Sequence, residues 1–210
     1  APGADDAGSA TRDAAGTRDD ATTSNPPSSP TKDDSGAAPI DAGPPKRVFV
    51  SSAKYGGNLG GGTGADAKCQ AAADAAGLGG TFAAFVATEG EDPIDRVGSG
   101  PWYSADRSTL LFTGTTTGSY PLAGPAPAAS IALDENLQPF DYATYWTGAQ
   151  VGGAWSAFNC GFFKSFNPDW GGERGVGGTS VSGAGGAWIR YLPGLPAKCN
   201  EENHLLCFEK

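Results

Sequence analysis

Residues 47–86 read RVFVSSAKYGGNLGGGTGADAKCQAAADAAGLGGTFAAFV, and the order of patterns in this stretch decides the fold. Arg47–Ser52 is a short β-branched and aromatic run, the composition of a strand. Gly56–Gly62 is loop chemistry, because glycine tolerates backbone conformations that other residues avoid. Thr63 with Asp66 three residues on resembles a capping box, so a helix is predicted from Thr63 to about Ala76. Gly77 then supplies the stop. Cys69, Ala72, Ala73 and Ala76 share one helical face, which points Cys69 inward. Thr81–Ala87 is an apolar run of strand length. Short strands, abundant glycine and few helices, here and downstream, argue an α+β domain with much loop.

Downstream the same short-strand character continues. Pro101–Phe112 predicts a hairpin around Ala105–Asp106. Tyr142–Gly148 predicts another strand, and His204–Phe208 alternates like a terminal strand with Cys207 facing the core. Trp146 and Trp188 are expected in the core. The glycines follow no fixed period, so this is loop and turn usage rather than a repeat.

Upstream the character changes. Residues 1–45 contain no aromatic residue, no Val and no Leu, and Ile40 is the one large aliphatic side chain there. Such a segment buries too little apolar area to offset the entropy of ordering, so residues 1–45 are expected to be a disordered acidic tether and residues 46–210 the folded domain. As a flexible coil the tether would reach roughly 35–40 Å. Eight Asp against Arg12, Arg18 and Lys32 give it a charge of −5, leaving −4 for the domain out of −9. Neither part is basic, which argues against nucleic acid as a partner. The chain contains no Met, which raises the expectation of a removed signal peptide. The tail is also similar to the spacer behind a lipid-modified Cys, which would precede Ala1. An exported, secreted or lipid-anchored protein is expected, touching a membrane only through such an anchor.

Cys69, Cys160, Cys199 and Cys207 are an even set in a domain of exported character, which favours disulfides. A zinc site would need closely spaced ligand pairs, and none occurs. Spacing alone leaves all three connectivities open.

Four stretches carry a resemblance: residues 47–86, IALDEN at 131–136, YWTGA at 145–149 and CNEENHLLCFEK at 199–210. Together they resemble the bacterial branch of the C-type-lectin-like fold, found in endostatin-like outer-membrane adhesins and related lipoproteins. The resemblance implies a C-type-lectin-like domain with a long loop region and nested bridges, Cys69–Cys207 and Cys160–Cys199. It also implies an adhesin-like binding module, monomeric and without a cofactor, recognising a protein or polysaccharide ligand.

The residues themselves offer little catalytic chemistry. His204 is the single His, and no G-x-S-x-G elbow occurs. The glycine loop lacks the Gly-Lys-Ser/Thr of a phosphate-binding loop, so close backbone packing is its better account. Asp92, Asp95, Asp106, Asp134 and Glu135 keep a carboxylate-based glycan hydrolase as an alternative, beside a purely structural envelope lipoprotein. The family's calcium-and-sugar motifs are missing. Gln138-Pro139 is followed by Phe140, Asn167-Pro168-Asp169 lies beyond Cys160, and no Trp-Asn-Asp occurs. Asp134, Glu135 and Asn136 are weak calcium candidates, with a charged turn the better reading. The segment WSAFNCGFFKSFNPDW, residues 155–170, is the aromatic-rich candidate. As a set its rings are expected in the core beside the disulfide. Asn167, Asp169, Trp170 and Trp155 are the ligand-binding candidates, and the first three sit in turn-like, Gly-flanked sequence and are expected to be exposed.

Overall fold

The computed structural model describes residues 45–113, 127–150, 152–181, 188–190 and 196–210. The predicted tether, apart from Pro45, lies outside the described residues. The elements are β1 (Lys46–Val50), α1 (Gly61–Ala75), β2 (Phe82–Ala84), α2 (Pro93–Val97), β3 (Trp102–Ser104), β4 (Leu110–Phe112) and β5 (Ala143–Trp146). They continue with β6 (Gly171–Gly172), β7 (Arg174–Gly177), β8 (Ala197–Lys198) and β9 (His204–Glu209).

Among the described residues seven strands form one curled sheet in the order β4-β3-β1-β9-β5-β7, with β2 added beside β9. The strands that open and close the domain lie side by side. β1 runs antiparallel to β9, with Val48 opposite Phe208 and Val50 opposite Leu206. β9 is central because its far side is shared: β2 covers residues 207–209 and β5 runs parallel to it at 204–205. A smaller pair, β6 with β8, stands apart from this sheet.

Period-two alternation distributes the core over both faces of the sheet. Val48, Val50, Tyr145, Leu206 and Phe208 face one apolar cluster, completed by Phe85, Trp102, Phe112 and Trp188. Phe49, Trp146, Leu205 and Cys207 face the other, where α1 packs with Ala65, Cys69 and Ala73. Those three positions recur every four residues, the period of one helix face. The small side chains let the helix lie close, and the Cys69–Cys207 disulfide joins it to β9. The second bridge is Cys160–Cys199. The nested pairing implied by the resemblance is therefore the one formed. Closing loops of 138 and 39 residues stabilises by about 4–5 kcal/mol each on chain-entropy reasoning. Structural disulfides belong to an oxidising, extracytoplasmic compartment. No helix among the described residues is long and apolar enough to cross a membrane.

Several local expectations need correction. α1 starts two residues before Thr63, at Gly61, and Asp66 does not close a capping box. Its Oδ1 instead accepts from the Ala84 amide (2.9 Å) and from Arg96 Nη2 (2.7 Å), which ties α1 to β2 and α2. The C-terminal stop is as read: Gly77 has φ +67°, its amide donates to Asp74, and the Leu78 amide donates to Ala73, a Schellman closure. The strand expected over Thr81–Ala87 is ladder-paired only at Phe82–Ala84. Beyond it the Phe85 amide donates to Leu206 and the Ala87 amide to Thr147, so the segment bends away while staying buried. The glycine loop is close packing, as expected. A Cβ at Gly57 would sit 2.6 Å from Cys160 Sγ and 2.9 Å from the Cys199 carbonyl oxygen.

Candidate functional site

The second disulfide is flanked by an uncommon piece of backbone. Cys160, Gly161, Phe162 and Phe163 have φ of +51°, +62°, +55° and +58°, four consecutive residues in the left-handed region. For each residue other than glycine this costs about 1–2 kcal/mol, so the surroundings must hold the turn in place. Five contacts do so. Cys160 is bonded to Cys199. Asn159 Oδ1 accepts from the Phe162 amide at 2.9 Å, and its Nδ2 donates to the Ser156 carbonyl at 2.7 Å. The Leu59 amide donates to the Phe163 carbonyl at 2.9 Å. Phe163 is fully buried, its ring centroid 6.0 Å from that of Trp146.

The turn sends Phe163 inward and leaves neighbouring rings outside. Trp155 (49% exposed), Phe158, Phe166 and Trp170 (50% exposed) are all open to solvent. The expectation that the set as a whole is core holds for Phe163 and fails for Trp155, Phe158 and Phe166, while Trp170 is exposed as its turn-like sequence predicts. Phe158 rests on backbone that carries no side chain, 3.4 Å from where a Cβ of Gly171 would stand. Trp170 lies against Gly161, where a Cβ would come within 2.7 Å of its Cζ3. Phe166 covers Gly56 in the same way. Trp170 is rooted by its carbonyl, which accepts from the Cys199 amide at 3.0 Å, and by the turn before it. In that turn Asn167 Oδ1 accepts from the Asp169 amide and the Asn167 carbonyl accepts from the Trp170 amide.

Two hollows flank the left-handed turn. The first, about 340 Å³, has Phe158, Trp170 and Asp169 on its walls and the backbone of Cys160–Gly161 beneath. The second, about 260 Å³, lies between Gly60–Thr63, Thr88, Arg96, Phe162 and Lys164. Trp155 stands beside this second hollow, its ring 6.0 Å from that of Phe162. Charges around the second hollow pair off. Lys164 meets Glu89 at 3.2 Å, and Arg96 meets Asp66 at 2.7 Å and Glu91 at 3.3 Å.

The sequence candidates therefore divide. Asp169 and Trp170 line the first hollow. Asn167 is exposed and shapes the turn that carries them. Trp155 belongs to the far flank, with its amide donating to Asp92 Oδ1 at 2.8 Å. Phe158 and Phe162 line the hollows but were not singled out by sequence. No sequence signal marked them, because Cys160, Phe162 and Phe163 are residue types that resist a left-handed backbone.

The other candidates serve local structure. Asp134 Oδ1 accepts from the amides of Asn136 (2.8 Å) and Gln138 (2.7 Å), and Glu135 accepts from the amide and hydroxyl of Ser52. Asn136 is exposed at this charged turn. Among the described residues no group of three or more His, Cys, Asp or Glu is arranged to hold a metal. Asp92 holds the Trp155 amide, and Asp95 is exposed on α2. Asp106 caps its own hairpin turn, where the Ser104 hydroxyl and then Ser108 hold its carboxyl below the usual range. His204 is buried (5% exposed), donates from Nδ1 to the Ser51 carbonyl at 2.6 Å and packs edge-on against Phe140. Burial holds its pKa below the ordinary value. Among known proteins, no family model matches this chain, and no curated protein matches it.

Proposed function

We propose that residues 46–210 form a non-catalytic binding module of C-type-lectin-like fold, displayed at a bacterial surface or secreted, that takes a neutral glycan on its aromatic face. Residues 1–45 serve as the spacer that lifts it, with or without a lipid anchor. The observation that carries this reading is Trp170, half exposed beside the first hollow with Asp169 at its edge. The face of a pyranose ring is apolar and its rim is hydroxyl. An indole with an adjacent carboxylate offers a partner to each. The rings cost little to order, because Gly161 and the β6 turn already hold the Trp170 backbone and ring in position.

Charge favours a neutral sugar over an acidic one. The domain carries −4, and one of its carboxylates, Asp169, lies on the hollow itself. The family's calcium motifs are missing, and the site does not call on a cation. A protein ligand would use the same rings as anchors, and the test separates the two.

Trp170→Ala is expected to weaken binding to a neutral polysaccharide by about ten-fold or more, equivalent to ~1.4 kcal/mol. Asp169→Ala is expected to weaken it less. Both are expected to leave the melting temperature nearly unchanged, since half-exposed side chains contribute little to stability. Titration calorimetry and thermal melts read the two quantities. Unfolding of either variant would make the aromatic loop structural. Binding of matrix proteins in place of glycans would move the reading to a protein adhesin.

A further inference from the structure

We infer that the ligand is an extended glycan that crosses the left-handed turn and occupies both hollows, with Phe162 as a contact for the second group of sugar units. This rests on the reading of Trp170 given above.

The first argument is Phe162 itself. At φ +55° a glycine would carry no strain, and an aromatic residue does. The apolar contact that the core requires at this turn is supplied by the next residue, Phe163, which is fully buried against Trp146. Phe162 is only partly buried, and its ring meets Trp155, an exposed residue. The strained position therefore places a partly exposed aromatic ring on the lining of the second hollow.

The second argument is size. Sites for drug-sized ligands usually run from about 300 to 1,000 Å³. Of the two hollows, the one of about 340 Å³ is at the small end of that range and the one of about 260 Å³ falls below it. They share the turn as a wall: Cys160 and Gly161 border one, Phe162 the other. A single sugar ring can fill one of them, and only a chain of several can reach both.

The third argument is the lining. The second hollow has Thr63 and Thr88 on its lining beside Phe162, and the Thr88 hydroxyl, which donates to the Glu91 carbonyl at 3.4 Å, keeps its acceptor lone pairs. Its charged groups are already paired with one another: Lys164 with Glu89, and Arg96 with Asp66 and Glu91. Hydroxyl-bearing side chains beside an aromatic ring, with no net cation, again suit a neutral saccharide.

The test uses the full chain and length series of neutral oligosaccharides, one to six units of glucose, mannose, galactose and N-acetylglucosamine, in titration calorimetry. In the series that binds, affinity is expected to rise about ten-fold between two units and five. Trp170→Ala should lower affinity at every length. Phe162→Gly, which relieves the backbone, should keep the melting temperature and the affinity for short oligomers but abolish the rise. Thr63→Ala, an exposed change, should reduce the rise and guards against a folding defect in the first variant. A flat length series, or a rise that survives both changes, overturns this inference and leaves Trp170 as a single-unit site. No binding in any series, or binding indifferent to Trp170→Ala, overturns both.

Discussion

At the residue scale, His204 is a group whose chemistry is set by its surroundings. Its Nδ1–H is committed to the Ser51 carbonyl, and burial disfavours its charged form, with the nearby Lys54 charge adding to the effect and Glu135 opposing it. The unfolded chain returns it to about 6.5. Below that pH the unfolded state binds the proton more readily than the folded one, so stability present at neutral pH is lost as the pH falls from about 6.5 toward the lowered folded value. The urea midpoint is therefore expected to drop between pH 7.5 and 5.5. His204→Asn retains a donor for Ser51 without the titration, and its midpoint should change less over that range. Equal slopes in the two proteins would contradict the assignment. Glycine illustrates the opposite situation, a residue whose reason lies wholly in its neighbours. At Gly175 a Cβ would lie 2.0 Å from the Trp188 carbonyl oxygen and 2.5 Å from the Tyr145 ring. Read along the chain, Arg174–Gly177 is indistinguishable from a turn. In space it is β7, with glycine where β5 and the Trp188 backbone press closest.

At the element scale, what was legible follows from pattern. β1, the Gly77 stop of α1, the 101–112 hairpin and β9 announce themselves by alternation, helix-end chemistry and turn residues. β6, β7 and β8 do not, because glycine and two-residue strands carry no period. The left-handed turn was hidden for a different reason. Cys160, Phe162 and Phe163 resist that backbone, and only their tertiary partners impose it. The rings from Trp155 to Phe166 therefore read as core, whereas the turn divides them. Asp169 and Trp170 could be picked out because Asn167-Pro168-Asp169 is turn sequence. Phe158 and Phe162 could not. The division predicts contrasting costs. Phe163→Ala, which empties a fully buried site against Trp146, should destabilise by about 3–5 kcal/mol. Phe158→Ala, on the exposed rim, should cost well under about 1 kcal/mol. Chemical denaturation of both variants checks this, and similar losses would mean that the turn does not separate core from surface.

At the scale of the whole molecule, the two disulfides have different tasks. Cys69–Cys207 fastens α1 to the central strand β9 and so joins the opening and closing segments of the domain. Cys160–Cys199 fastens the base of the segment that carries the aromatic face. One bridge secures the scaffold and the other secures the site. That arrangement holds a half-exposed indole and a strained phenylalanine in fixed positions on either side of the left-handed turn. The central claim is that this face binds neutral glycan without a metal, through Trp170. A glycan and matrix-protein array probed with the full chain and with Trp170→Ala, each with and without EDTA, tests it most directly. Neutral glycan signals that EDTA leaves unchanged and that the substitution removes are the expected outcome. Signals lost on adding EDTA, or retained by Trp170→Ala, would contradict it.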